Sequence, residues 1–334
     1  MAIGDIQKTI RGDCKLKKVI VLITLILSLF IASNLALSLT KSQRKKLAFY
    51  SPLINTLSKF ESKGRLRKIF LDRRIRFDSR LILLNLDQPS QKRYMANSLG
   101  RRALYKGIRF IHLYRKALEK AEKLHSVDKE VIVAILYIET KFNLRKARNI
   151  VFNAYATLAF ANHPHFMKIN LKRLKYKYRK LSKSDLDTKI QEFKERSAKK
   201  GKWAVEQLKA LFSVSRGMKR PILSFRGSFA GAMGYPQFIP TSYMNYAVDG
   251  NGDHKVDLYN IYDAISSVGN YLKTVGFKGD KPESQYQAIY HYNRSDDYVQ
   301  FVLEYSKRLK KFKIRKVRKR RRKKKKRKRK KRRR

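Results

Sequence analysis

Residues 127–142 read VDKEVIVAILYIETKF. Between Val131 and Ile138 only Tyr137 interrupts a run of aliphatic side chains, so a helix formed here has almost no polar face and belongs in the interior. Ser126 is expected to cap its start, with Asp128 and Glu130 suited to the positive end of the helix dipole. Glu139 falls near the other end. A carboxyl there is desolvated and faces the negative helix terminus, and both effects raise its pKa and keep it protonated near neutral pH. That is the state a general acid needs. A glutamate paired with Lys141 or Arg145 at an ordinary helix end is equally consistent with this segment alone.

Downstream, residues 227–243 read GSFAGAMGYPQFIPTSY. Gly227, Gly231 and Gly234 followed by Pro236 and Pro240 indicate a tightly turned backbone that approaches a ligand or a helix closely. No lysine follows the glycines, which excludes a phosphate-binding loop of the Walker type. Residues 249–260, DGNGDHKVDLYN, place oxygen-bearing side chains at loop positions 1, 3, 5, 9 and 12, as in an EF-hand. His254 replaces the glycine of position 6 and Asn260 the bidentate glutamate of position 12, so a calcium loop and an Asx-rich turn both remain open. Tyr298, in a helical stretch expected over 297–309, is either a sugar-stacking ring or core.

Elsewhere the chain reads as mainly helical. Leu104, Ile108, Ile111, Tyr114, Leu118 and Ala121 recur at helical spacing across 103–124, and residues 168–202 read as basic helices with a solvated face. The formal charge of the 334 residues is +56, and 24 of the 28 residues from Lys307 onward are Lys or Arg. Such a tail repels itself and is expected to stay disordered until it meets a polyanion, whether nucleic acid, anionic lipid or an acidic polymer. With one cysteine, Cys14, no intrachain disulfide forms. Residues 19–37, VIVLITLILSLFIASNLAL, follow a basic cluster and match the length of a membrane anchor or a long export signal.

Together these segments resemble the lytic murein transglycosylase B family of the lysozyme-like superfamily. The strings that carry the resemblance are LDQPSQ at 86–91, the 127–142 segment, GSFAGAMGYPQFIPTSY with the following YAVDGNGD, DAISSVGNYL at 263–272 and YNRSDDYV at 292–299. The resemblance implies a lysozyme-like α-helical catalytic domain with a small EF-hand-like loop subdomain. The expected organisation is an N-terminal hydrophobic segment over 1–46, a catalytic domain over 47–306 and a polybasic tail over 307–334.

By the same resemblance Glu139 is the sole acid/base. It would cleave the β-1,4 bond between N-acetylmuramic acid and N-acetylglucosamine in peptidoglycan strands, leaving a 1,6-anhydromuramyl end. Ser228, Met233, Tyr235 and Gln237 would line one side of the sugar groove and Tyr292, Asn293 and Tyr298 the other, with Gly234 admitting the glycan close to the backbone. No cofactor is implied for catalysis; a structural calcium would sit on Asp249, Asn251, Asp253, Lys255, Asp257 and Asn260. The implied setting is the cell envelope, reached by export, with the N-terminal segment meeting the membrane and the tail meeting anionic envelope polymers or lipid. Nucleic acid is disfavoured as a partner because no nucleic-acid motif accompanies the tail. Tyr137 and Ile138 stand where the family carries a small glycine-valine pair, and Asn143 where it carries glycine. A wall-binding protein of the same fold without turnover is the alternative.

Overall fold

A computed structural model describes residues 39–87, 99–144 and 148–312. The apolar run at 19–37, part of the LDQPSQ string, Arg145 and residues 313–334 lie outside the described residues. Among the described residues no helix is long and apolar enough to cross a membrane. The chain divides into two compact units, one ending at Ile75 and one beginning at Arg76, so the stretch 47–306 expected as one domain crosses that division.

Among the described residues the first unit is a pair of helices, α1 (Lys41–Leu57) and α2 (Lys63–Leu71). Thr40 and Gln43 form a reciprocal capping box at the start of α1, and Ser62 caps α2, which satisfies backbone N–H groups that a helix cannot pair internally. Tyr50 stacks on Phe70 at 4.6 Å, and Leu53, Leu57 and Leu66 complete the contact.

The second unit is built from α3 (Arg80–Leu86), α4 (Arg101–Leu113), α5 (Arg115–His125), α6 (Lys129–Thr140), α7 (Val151–Leu158), α8 (Pro164–Lys177), α9 (Lys183–Gly217), α10 (Pro240–Tyr246), α11 (Ile261–Thr274), α12 (Pro282–Tyr292) and α13 (296–312). A two-stranded antiparallel sheet, β1 (Asn149–Ile150) with β2 (Arg226–Gly227), is extended by isolated bridges from Gly227 to Met233 and from Met233 to Phe238. The mainly helical class expected from the sequence is therefore observed. α6 lies at the centre, with every residue from Glu130 to Tyr137 buried, and α4, α5 and α11 pack around it.

Several local expectations are corrected. The pattern over 103–124 is two helices, because Tyr114 leaves helical geometry with φ −107° and ψ 29°; its apolar spacing continues across the break since both helices cover the same core. Ser126 does not cap α6. It ends α5 in the left-handed region with φ 56°, and Asp128 takes the position before α6. The tail expected to be disordered from Lys307 begins as helix, since α13 continues to residue 312; Leu309 is fully buried and Lys310 pairs with Asp128 at 2.6 Å, which holds the last turn against charge repulsion.

Candidate active site

Because α6 is apolar all round, its buried length points Glu139 to the place where the helix emerges from the core. There Lys141 and Phe142 both adopt left-handed φ values, 53° and 61°, which turn the chain sharply away. Such backbone costs energy for residues with a Cβ, and the stacking of Phe142 on Phe110 at 4.1 Å offsets part of it. Glu139 thus stands at the wall of a cleft of about 360 Å³, lined also by Lys106, Thr140, Lys141, Asn143, Leu144, Asn149, Ser228, Phe229 and Gln237.

The carboxyl remains partly open to the cleft but is densely surrounded by protein. Burial pushes its pKa from 4.5 to about 7, against the opposing effect of the Tyr298 hydroxyl, which donates to Oε1 at 2.7 Å. The group is therefore half protonated near neutral pH and carries its proton below it. Tyr298 itself is 2 % exposed, and burial followed by the nearby Glu139 charge raises its own pKa far above the ordinary phenol value, so it acts only as a donor. Tyr292 stacks on it at 6.2 Å and donates to the Pro236 carbonyl at 2.6 Å, tying α12 to the glycine segment.

That segment forms the facing wall. Ser228 Oγ accepts the N–H groups of Ala230 (3.2 Å) and Ala232 (3.1 Å), bonds that do not consume its own proton. Gln237 has φ 52° and donates from Nε2 to the Gly234 carbonyl at 2.7 Å, leaving Oε1 as an acceptor. Two glycines make the turn possible. Gly231, with φ +88°, lies against the Tyr155 ring, whose hydroxyl donates to its carbonyl at 3.0 Å. Gly234, with φ +67°, lies against the backbone of Leu258: a Cβ there would sit 2.4 Å from the Leu258 oxygen. Its close approach is thus to protein, where the resemblance implied glycan.

Of the residues singled out in the sequence, the fold brings Glu139, Ser228 and Gln237 to the cleft wall. Tyr298 and Tyr292 stand behind Glu139, where they brace it. Met233 is 1 % exposed and serves the small sheet. Tyr235 lines an adjoining hollow, and Asn293 ends α12. Lys106, Asn149 and Phe229 were not anticipated, and Lys141 and Asn143 were singled out only as a pairing partner for Glu139 and as a departure from the family pattern. Lys141, Asn143 and Phe229 sit within one to four residues of anticipated ones and were findable by adjacency, whereas Lys106 and Asn149 carry no local signal.

The loop at 249–260 closes on itself. Asp249 accepts N–H groups from Asn251, Gly252 and His254, and Asp253 accepts from Lys255. Asn260 caps α11 through the Tyr262 N–H, and Asp257 accepts from the Tyr259 N–H. Asp263, overlooked in the sequence, is 1 % exposed and bonds the N–H groups of Gly250 and Asp257; burial, then the charges of Asp249 and Asp253, raise its pKa. By chemistry Asp249, Asn251 and Asp253 suit a hard cation. As the side chains stand, no three His, Cys, Asp or Glu among the described residues are grouped to hold one.

The chain that carries this cleft has similar sequences and folds among known proteins. The model of the family described as the transglycosylase SLT domain matches residues 62–285. The chain belongs to this family. Membrane-bound lytic murein transglycosylase B of Escherichia coli (strain K12) is 32% identical over 176 residues, which are 52% of this chain and 39% of that protein. The match thus spans about two fifths of that relative's length. The fold of the Escherichia coli lytic transglycosylase SLT35, solved in complex with calcium, superposes with a TM-score of 0.61 at 22% identity, covering 79% of this chain and 93% of that one. SltB3 of Pseudomonas aeruginosa, solved with NAG-NAM-pentapeptide, gives 0.59 at 19% identity over 81% of this chain and 80% of that one. Within this SLT domain Tyr137 does not narrow the cleft. Its ring stacks on Tyr305 at 4.9 Å on the core side of α6.

Proposed function

We propose that this chain is a lytic transglycosylase that cleaves the β-1,4 bond between N-acetylmuramic acid and N-acetylglucosamine in peptidoglycan. The observation that carries the reading is Glu139: among the described residues it is the single carboxyl lining the cleft, and its pKa of about 7 lets it both give and take a proton. Family membership and the names of the relatives support the same class of reaction.

Protonated Glu139 donates to the glycosidic oxygen as the C1–O4 bond breaks. Two-carboxylate glycosidases answer the resulting cation with a second acid about 5–9.5 Å away. Among the described residues no second carboxylate lines this cleft, so the muramyl 2-acetamido oxygen attacks C1 and forms an oxazolinium. Glu139, now ionised and steadied by Tyr298, accepts the proton of the muramyl C6 hydroxyl. O6 then attacks C1, opens the oxazolinium and closes the 1,6-anhydro ring, with Glu139 again protonated and no water consumed. Ser228 and Gln237 are placed to hydrogen-bond the sugar across the cleft.

Mass spectrometry of soluble products from purified peptidoglycan tests the reading. Anhydromuramyl ends that vanish in Glu139→Gln support it; reducing ends identify a hydrolase. No Glu139-dependent product from a folded protein that binds the wall identifies a non-catalytic wall-binding protein of this fold.

We place the chain in the cell envelope, the apolar run at 19–37 serving as export signal or anchor and the basic tail binding anionic polymer or lipid. Raising salt should release a variant lacking residues 313–334 from isolated envelopes at lower concentration than the full chain. Equal release of both would dismiss the role of the tail. Calcium takes no part in this chemistry. Asp249, Asn251 and Asp253 would hold it, and without the bidentate ligand of position 12 the site should be weak. Calcium is expected to raise the melting temperature only in the range of about 0.1–1 mM and above; saturation at micromolar calcium would contradict this account.

A further inference from the structure

The first unit holds a hollow of its own, of about 530 Å³, lined by α1 and α2. Leu47 and Ile54, both buried, give it an apolar floor, and Leu39 stands at its edge. Arg44 of α1 and Lys63 and Arg67 of α2 supply the charge. Arg44, Leu47 and Ala48 follow at steps of three and four residues, as do Lys63 and Arg67, so each helix turns one face to the hollow. The three cations are exposed, and among the described residues none is paired with a carboxylate. Residues 39–75 contain 11 Lys or Arg and two acids. Glu61 pairs with Arg65 at 3.0 Å and Asp72 with Arg74 at 2.8 Å, and neither acid lines the hollow.

Cations over an apolar floor select an anionic group joined to hydrocarbon. A soluble polyanion brings no hydrocarbon and a neutral lipid brings no net charge. The sequence also puts lipid within reach, because the apolar run ends at residue 37 and Leu39 already lines the hollow. Two residues of chain reach at most about 7 Å, and the headgroup layer on each side of a bilayer is about 5–8 Å deep. A run that crosses a bilayer therefore delivers this hollow to the headgroups. We propose that the hollow between α1 and α2 binds one anionic phospholipid of the membrane surface, with Arg44, Lys63 and Arg67 on its phosphate and its upper acyl carbons on Leu47 and Ile54. Guanidinium groups suit the task, since they offer phosphate two parallel donors. The inference rests on the reading of residues 19–37 as a membrane segment and is independent of the glycan chemistry.

The full chain is reconstituted into phosphatidylcholine vesicles that carry a trace of photoactivatable lipid. The probe has either a phosphatidylglycerol or a phosphatidylcholine headgroup, with the reactive group on its upper acyl chain, and labelled peptides are mapped by mass spectrometry. Each cation near an anionic headgroup contributes about five-fold in binding. The ratio of phosphatidylglycerol to phosphatidylcholine label over residues 47–55 is thus expected near 100-fold for three cations, and about five-fold once Arg44→Gln and Arg67→Gln leave Lys63 alone. Ala48→Glu, which puts a carboxylate at an exposed position of the same wall, should also collapse the ratio. Coincident melting curves check that these surface changes leave the fold intact. Equal label from the two probes, label confined to residues 19–37, or a ratio that the substitutions leave unmoved overturns the proposal. Displacement of the label by soluble glycerol phosphate at equal concentration overturns it in favour of a site for free phosphate. Failure of the wider reading looks different: the full chain then does not float with phosphatidylcholine vesicles in a density gradient.

Discussion

Glu139→Gln is expected to lower turnover of peptidoglycan strands by about 10³-fold or more, since the amide keeps the shape of the side chain and cannot transfer the proton. The same exchange should stabilise the protein in alkaline solution. Folded Glu139 holds its proton up to about pH 7, whereas the unfolded chain releases it near 4.5. Between those values the native state binds the extra proton, so native stability falls as pH rises through this window and stays low above it. Forcing the buried group to ionise costs on the order of 3 kcal/mol, a penalty that glutamine does not carry. Melting curves should therefore favour the variant by several degrees at pH 8.5, with the advantage gone at pH 4. An equal difference at both values would show that the effect is packing and not ionisation.

A companion variant separates the acid from its brace. Tyr298→Phe removes the hydroxyl that holds the Glu139 pKa down, so the pKa rises. The alkaline limb of the kcat/KM profile, set by loss of the acid's proton, then moves to higher pH. A limb that stays in place would take Glu139 out of the titration.

Gly234→Ala is the second large effect. The new methyl would meet the Leu258 oxygen at 2.4 Å and its Cβ at 2.6 Å, in a backbone region that already disfavours side chains. Overpacking and the left-handed conformation together cost about 3 kcal/mol, which for a unit of this size lowers the melting temperature by roughly 10 °C. Relief by shifting Gly234 would move Gln237 and the Tyr235 N–H, which donates to Leu258 at 2.9 Å, so activity should fall further than stability predicts. A variant with unchanged melting and turnover would mean that Leu258 yields without cost.

The segments that could be read from the chain are those whose chemistry is local. An eight-residue apolar run with an acid at its end specifies a buried helix and an unusual carboxyl wherever it occurs, and three glycines within eight residues specify a tight turn. What supports the acid was not legible, because Tyr298 reaches Glu139 from 159 residues away and its spacing also fits plain core. Ser126 and Asp128 compete for one cap, and only the path out of α5 decides between them. Lys106 and Arg109 drew no reading of their own, because nothing in the α4 sequence reveals that a cleft opens beside it. Asp263 was quoted only as part of the string at 263–272; its two bonds to loop N–H groups come from the fold of a turn that precedes it.

α13 joins two ends of the molecule's chemistry. Tyr298 near its start touches the Glu139 carboxyl, and Leu309 and Lys310 near its end are fastened to the body. At 1.5 Å per residue the rod between them is roughly 20 Å long. The basic residues beyond it therefore leave the body roughly 20 Å from the Glu139 carboxyl, so a molecule tethered through them would keep its cleft clear of its point of attachment.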